Sequence, residues 1–308
     1  MQIKLTEKIG ISIVLLCGIM WGLSGVWGQI LFQNTDIQVE WLSATRMLAS
    51  GIIILIFLFL KDKKKLFSIW KTSKFIIPFL IFSIFGVMSV QYTYFAAVNK
   101  LNAATATVLQ YIYPVLILLY TSLHNRKIPK FYEMISIVLA FSGIILIATH
   151  GNFSSLQISP IALFWGLTSA FSFVLYTIYP KNLYAKFGLI PIMGWAFFIG
   201  GFILFFISGC FKMKITLDSY SFGLISAISL LGTLIPFLIY GVGVKILGNL
   251  KASVLVTVEP ITSAILAFIL TDVKFTKVDI LGFTCILCAV ELIALQDLKN
   301  KNIVAYNN

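Results

Sequence analysis

The sequence predicts an all-α membrane protein in which ten transmembrane helices form two inverted repeats of five helices each. Three observations lead to this prediction: an apolar composition, ten apolar stretches of spanning length, and a similarity between the two halves. Hydrophobic residues make up 59% and charged residues 11% of the 308 residues, against roughly 45–50% and about 25% in soluble domains. The mean hydropathy of +0.99 argues against a soluble enzyme or nucleic-acid-binding module.

A helix needs about 20 mostly apolar residues to cross the hydrocarbon core of a bilayer. Ten stretches meet or approach that length, and runs such as 51–60 lack the alternation of a membrane β-strand. The predicted spans are 9–32, 41–60, 75–98, 103–123, 131–149, 159–180, 189–211, 219–244, 252–271 and 278–296. The first stretch is too long for the apolar core of a signal peptide, so we expect an uncleaved span.

The distribution of Lys and Arg predicts that both termini are cytoplasmic, because cytoplasmic loops carry the excess of positive charge. With this orientation, the outer loops hold only Lys100, Lys212, Lys214, Lys274 and Lys277. The cytoplasmic segments hold Lys4, Lys8, Lys61, Lys63, Lys64, Lys65, Lys71, Lys74, Arg126, Lys127, Lys130, Lys181, Lys186, Lys245, Lys251, Lys299 and Lys301. The formal net charge of +12 is thereby explained by topology, and no nucleic-acid partner is expected.

The two halves of the chain resemble each other in sequence. The segment 99–114 aligns without gaps on 245–260, and the Trp-Gly-Leu of 21–23 recurs at 165–167. We therefore predict one repeat at 1–150 and a second at 151–308. Each half has an odd number of spans, so the second copy must lie upside down in the membrane, an arrangement typical of secondary transporters.

Several of these features together resemble the EamA-type transporters of the drug/metabolite transporter superfamily. The residues that carry the resemblance are the tryptophan-glycine pairs opening spans 1 and 6, Arg46 early in span 2, the Glu259-Pro260 pair, and the acidic residues Glu133 and Asp279. The short fourth and ninth spans fit as well. The resemblance implies a carrier for small organic metabolites, and on this ground alone we expect export rather than uptake.

Polar side chains and a proline share one helical face in span 4 and again in span 9. These residues are Thr107, Gln110, Tyr111 and Pro114 in span 4, and Ser253, Thr257 and Pro260 in span 9. Each proline frees the carbonyl four residues earlier, since its ring nitrogen carries no hydrogen. The freed carbonyls of Gln110 and Val256 either face a cavity or are satisfied by a neighbouring hydroxyl in a packing kink.

Glu259 and Arg46 are the two ionisable residues of greatest interest within the spans. Glu259 falls near the predicted midplane, where a carboxylate is protonated, paired or titrated during transport. Its alternative role is structural or gating, and Tyr113, its counterpart in the first repeat, is expected to hydrogen-bond to it. Arg46 either anchors a substrate carboxylate, snorkels to the interface or pairs with a helix end. We favour snorkelling or structural pairing over the substrate-binding role.

Aromatic and amide side chains within the spans complete the predicted binding or translocation site. The additional candidates are Trp21, Gln91, Tyr94, Trp165, Tyr176 and Tyr240. Because ring faces attract cations, an aromatic and mostly neutral cavity suits a neutral, zwitterionic or cationic metabolite. Phosphorylated compounds would require several Arg or Lys residues.

We therefore expect a secondary carrier in the cytoplasmic membrane, moving an amino acid, an amine or a related compound by alternating access. The expected partners are the small-molecule substrate and membrane lipid, with no cofactor and no metal ion. A coupling proton or ion, the substrate's identity and the oligomeric state are left open by the sequence. The alternatives are a polytopic assembly partner without transport activity and a membrane-embedded transferase. The loops offer no cluster of Asp, Glu or His for a transferase, so we do not expect an enzyme.

Overall fold

The structure is a computed structural model that describes residues 2–126, 128–153 and 155–306. Side chains are described for 6–126, 128–153, 155–248 and 251–295. Four of the basic residues used to predict the orientation have no described side chain: Lys4, Lys127, Lys299 and Lys301.

The described residues form a helical bundle without a β-strand, and 10 of the helices are long and apolar enough to cross a membrane. These spans are Thr6–Asn34, Val39–Lys61, Ser73–Lys100, Ala103–His124, Phe131–Thr149, Pro160–Ile178, Leu189–Ile207, Ser219–Leu247, Lys251–Leu270 and Lys277–Leu295. The first helix begins at Gln2 and the last continues to Tyr306. The predicted all-α fold with ten spans is thus confirmed, with differences of a few residues at most ends.

Side-chain caps explain where several spans begin, because the first backbone N–H groups of a helix have no partner within it. Asn102 accepts a hydrogen bond from the amide of Thr105 at the start of span 4, at 2.8 Å. Asp218 does the same for Ser221 at the start of span 8, also at 2.8 Å. The buried start of span 4 has a second partner, since the side chain of Gln29 accepts from Ala103 N.

Spans 2 and 7 occupy corresponding places in the two halves and run antiparallel. A Cβ atom added to Gly201 would lie 2.8 Å from the backbone nitrogen of Leu48. One added to Gly194 would lie 2.6 Å from the side chain of Ile54. Residue numbers therefore rise along span 2 as they fall along span 7. Small residues such as Gly194 and Gly201 let helices approach each other closely in membranes.

Spans 5 and 10 form the second antiparallel pair. Gly143 packs against Ile286, and Gly282 packs against Ile147, with distances of 2.6 and 2.8 Å from the added Cβ. Span 5 ends the first half and span 10 ends the second. Two pairs of corresponding helices that run in opposite directions establish that the five-helix repeats are inverted.

Irregular backbone also occurs at corresponding places of the two repeats. Span 4 breaks between Gln110 and Tyr113, and span 9 breaks between Leu255 and Val258. Span 3 contains a π-helical segment, Phe82–Met88, and span 8 contains another, Leu230–Leu234. Short π-helical segments are rare and frequently mark functional sites.

Substitution of Gly201 by alanine should destabilise the protein, because the added methyl group meets backbone atoms of Leu48 and Ala44 at 2.8 and 2.9 Å. Spans 2 and 7 must then separate, and overpacking of this kind costs about 1–3 kcal/mol. We expect a lower midpoint of thermal unfolding for the purified protein in detergent.

Gly223→Ala is the matched control, since a Cβ at this exposed helical position has no neighbour within 4 Å. It should leave the midpoint unchanged or raise it slightly, because alanine favours the helix over glycine. Equal midpoints for both variants and the wild type would refute the close packing of spans 2 and 7.

Candidate functional site

The broken spans 4 and 9 meet near the middle of the bundle through Tyr111 and Glu259. The Tyr111 hydroxyl lies 2.9 Å from Oε2 of Glu259 and 2.9 Å from the carbonyl oxygen of Val256. Both side chains are buried. The Val256 carbonyl that Pro260 frees accepts the backbone N–H of Glu259 at 2.9 Å, and the Tyr111 hydroxyl has one proton to donate either to this carbonyl or to the carboxylate. The hydroxyl that contacts Glu259 is thus that of Tyr111, whereas the sequence suggested Tyr113.

Glu259 lies in the first turn of the half-helix Val258–Leu270. The unpaired N–H groups and the dipole at a helix N-terminus favour a carboxylate at this position. The half-helix can begin inside the bundle because Pro260 needs no hydrogen-bond acceptor for its nitrogen. The sequence thus places one acidic group, held by one hydroxyl, at the junction of the two repeats.

The Thr257 hydroxyl contacts Glu291 and not Glu259. Its hydroxyl lies 2.6 Å from Oε1 of Glu291 in span 10 and 2.6 Å from the carbonyl of Val254. A second carboxylate is thereby held against the break in span 9. Thr257 consequently supports the broken helix from the side of span 10.

A continuous series of aromatic rings lies next to the Tyr111–Glu259 contact, and we call it the aromatic cluster. It consists of Trp21, Tyr111, Tyr113, Phe173, Tyr176, Phe237 and Tyr240. Successive ring centroids are 4.4–6.1 Å apart, from 4.4 Å for Tyr113 and Phe173 to 6.1 Å for Tyr111 and Tyr113. The remaining contacts join Phe173 to Tyr176, Tyr176 to Phe237, and Trp21 to both Phe237 and Tyr240. The cluster therefore joins spans 1, 4, 6 and 8.

Three tyrosines of the aromatic cluster are only partly buried. Tyr113, Tyr176 and Tyr240 each have intermediate exposure. The indole N–H of Trp21, also in the cluster, is buried without a hydrogen-bond partner.

Other predicted site residues lie elsewhere or have protein partners. Gln110 binds Ser169 of span 6 at 2.6 Å, and the Tyr94 hydroxyl binds Thr107 at 2.9 Å. Gln91 is buried in span 3. Trp165 packs edge-on against Tyr92, with ring centroids 5.4 Å apart. None of these three contacts is made to a ring of the aromatic cluster.

Arg46 lies inside the bundle with 4% of its surface exposed. Its guanidinium carbon is 4.3 Å from the centre of the Phe95 ring, a cation–π contact. The interpretation that Arg46 snorkels to the interface is therefore wrong. The side chain points into the protein between spans 2 and 3.

A cavity of about 430 Å³ opens where span 1 ends and span 2 begins, and we call it the vestibule. Asp36, Glu40 and Lys100 contribute charges to its wall, and Tyr92 and Trp165 contribute rings. Glu40 accepts a hydrogen bond from the Tyr92 hydroxyl at 2.9 Å. The vestibule thus presents both signs of charge beside aromatic surface.

The sequence reasoning missed Phe173 and Phe237 in the cluster and the acidic residues of the vestibule. Phe173 and Phe237 each lie three residues before a predicted tyrosine, Tyr176 and Tyr240, on the same helical face. That spacing was an available signal, although 27 Phe residues in the chain dilute it. Asp36 and Glu40 flank a span end, where charged residues are ordinary.

The described side chains include no group of three or more His, Cys, Asp or Glu that could hold a metal ion. Cys285 and Cys288, spaced as in redox or zinc motifs, are free cysteines on the last span.

Comparisons with known proteins identify the family. The model of the EamA-like transporter family matches residues 8–149 and again 160–295. A Salmonella typhimurium protein, described as the uncharacterized inner membrane transporter YicL, is 38% identical over 294 residues, which cover 94% of this chain and 97% of that protein.

A solved structure, titled only as the crystal structure of a protein, superposes with a TM-score of 0.63 at 13% identity. The match covers 94% of this chain and 97% of the other, and shows similarity of fold. Ten apolar spans, two copies of the family's unit and a relative named as a transporter agree with one another. The chain belongs to the EamA-like transporter family and is a multi-pass membrane transporter.

Proposed function

We propose that this protein is a secondary carrier of the cytoplasmic membrane that exports a small organic metabolite, an amino acid, an amine or a related compound. The main support is the Tyr111–Glu259 contact, which lies where the broken spans of the two repeats meet. The aromatic cluster, which includes Tyr111, lies next to it. Binding sites of secondary transporters typically lie at such repeat interfaces, next to interrupted helices.

The inverted arrangement supports alternating access around this site. Two repeats, proposed at 1–150 and 151–308, share a break in the fourth helix and a π-helical segment in the third. Exchange of the two repeats' conformations would convert an inward-open state into an outward-open one. The breaks supply positions where the halves of a helix can tilt relative to each other.

The proposed translocation site contains the aromatic cluster with Glu259, together with Gln91, Tyr94, Gln110, Trp165 and Thr257. Ring faces and one carboxylate favour a substrate that carries an ammonium group. Since a single acidic group lies among the rings, we propose that Glu259 also takes up and releases a proton as the substrate leaves and enters. Export is proposed from the family resemblance.

Substitution of Glu259 by glutamine tests the coupling. The amide keeps an oxygen to accept from Tyr111 but cannot exchange a proton, so an imposed proton gradient should no longer drive transport. We expect gradient-driven flux of amino acids and amines in proteoliposomes to be lost, and exchange of labelled for unlabelled substrate to persist with a flattened pH profile.

Tyr111→Phe is the matched variant, because it removes the hydroxyl between the repeats and leaves the carboxyl group of Glu259 in place. It should slow both kinds of flux while the response to the proton gradient remains. Unchanged transport with an unchanged pH profile in Glu259→Gln would refute proton coupling. No flux of any amino acid, amine or nucleoside through the wild type would favour an assembly partner over a carrier.

Cysteine labelling tests the proposed orientation, in which both termini are cytoplasmic. Lys65 and Lys214 are both exposed and lie in corresponding loops of the two repeats, after spans 2 and 7. In a background in which the native cysteines are replaced, Lys214→Cys should react with a membrane-impermeant maleimide on intact cells. Lys65→Cys should react only after the cells are opened. The reverse pattern would contradict the orientation.

A further inference from the structure

Buried polar atoms without a hydrogen-bond partner are uncommon in native proteins and call for an explanation. Among the described side chains these atoms are Trp21 Nε1, Ser24 Oγ, Ser43 Oγ, Arg46 Nε and Trp70 Nε1. Four of the five lie on spans 1 and 2. Arg46 is the one that also carries a full charge, since its guanidinium stays protonated in proteins.

Arg46 has no acidic partner among the described side chains. The ion pairs recorded there join Lys65 to Asp62, His150 to Asp279 and Lys251 to Glu7. Glu40, the nearest acidic residue along span 2, accepts from Tyr92. The Phe95 ring offsets only part of the cost of burying the guanidinium, because a cation–π contact satisfies none of its N–H groups.

A second unpartnered group lies on the same face of span 2. Ser43 precedes Arg46 by three residues, is fully buried, and its hydroxyl has no partner. Val39, four residues before Ser43, lines the vestibule. At about 1.5 Å per residue, Arg46 lies roughly 10 Å further along the helix axis than Val39. The face of span 2 thus leads from the vestibule to a hydroxyl and then to an unpaired cation.

The residues of span 3 also lead from the vestibule to Arg46. Tyr92 and Ala96 line the vestibule. Phe95, on the same side of the helix, makes the cation–π contact with the guanidinium of Arg46. The next residue inward is Tyr94, whose hydroxyl reaches Thr107 of span 4. Thr107 is one helical turn from Tyr111, so Arg46 lies between the vestibule and the Tyr111–Glu259 contact.

We propose that Arg46, assisted by Ser43, binds the carboxylate group of the transported substrate between the vestibule and the aromatic cluster. The inference rests on the proposed function and narrows its substrate class to compounds that carry a carboxylate, foremost amino acids. A guanidinium presents paired N–H donors that match a carboxylate, and the serine hydroxyl supplies one more donor.

Paired substrates test the assignment by transport. Proteoliposomes with the wild type, Arg46→Gln or Arg46→Lys are assayed for exchange of labelled substrate. Two pairs of substrates are compared, phenylalanine with phenethylamine and leucine with isoamylamine. Arg46→Gln should raise the KM for the amino acids roughly tenfold or more and leave the KM for the amines within about twofold. Arg46→Lys should fall between, because a point charge replaces the fork of donors.

Ser50→Ala is the control for general damage to span 2, because Ser50 is buried one helical turn beyond Arg46 and its hydroxyl already has a partner, the Ser229 carbonyl of span 8. Any change in KM that Ser50→Ala causes should be the same for the amino acids as for the amines. Equal effects of Arg46→Gln on both compounds of each pair would overturn the proposal. So would a requirement of the wild type for chloride that Arg46→Gln abolishes, since chloride would then be the counter-ion.

Thermal unfolding separates failure of this proposal from failure of the carrier function. Phenylacetate should raise the unfolding midpoint of the wild type and Arg46→Lys more than phenylacetamide does, and Arg46→Gln should lose the difference. If the wild type transports nothing yet shows this difference, the carboxylate site stands and the carrier proposal fails. If the two probes act equally on the wild type, the carboxylate site is refuted.

Discussion

The hydrogen bond from Tyr111 to the break in span 9 is the contact on which the centre of this transporter depends. A bilayer core offers no water to backbone groups, so a helix can be interrupted there only if the freed groups find partners inside the protein. Tyr111 lies 2.9 Å from both the Val256 carbonyl and Glu259. One hydroxyl of the first repeat thus contacts both the irregular backbone of the second and its acidic group, and the backbone N–H of Glu259 also donates to the Val256 carbonyl.

The inverted packing explains why these groups meet at all. Corresponding helices contact each other across the repeat interface, as spans 2 and 7 do, and spans 5 and 10. Glycines bring spans 1 and 9 equally close: a Cβ on Gly22 would lie 2.9 Å from the carbonyl of Glu259. Two helices that approach this closely leave no room for side chains between them. The chemistry of the site is therefore confined to the neighbouring faces, where the rings and Glu259 lie.

Much of this architecture follows from the sequence, because apolar length and repeated motifs fix the number, order and direction of the spans. The same reasoning selects Tyr111 and Glu259, since helical spacing shows which residues share a face. It cannot show which face meets which across two helices, so equivalence under the repeat suggests Tyr113 as a partner of Glu259 where the structure has Tyr111. Phe173 and the burial of Arg46 were missed for the same reason. Their positions depend on contacts between spans 2 and 3 and between spans 4 and 6.

The two buried ionisable groups, Arg46 and Glu259, pose the same electrostatic problem at separate places. A single buried charge in lipid is costly, and a cation and a carboxylate that do not touch each carry that cost. Arg46 and Glu259 do not form an ion pair, and Phe95, Tyr94, Thr107 and Tyr111 separate them through a series of contacts. An α-amino acid holds its carboxylate and ammonium group on one carbon, so it cannot bridge these intervening side chains and touch both groups at once. A carboxylate at Arg46, and a proton or an ammonium group at Glu259, would each offset one of the two buried charges, as the two proposals above require.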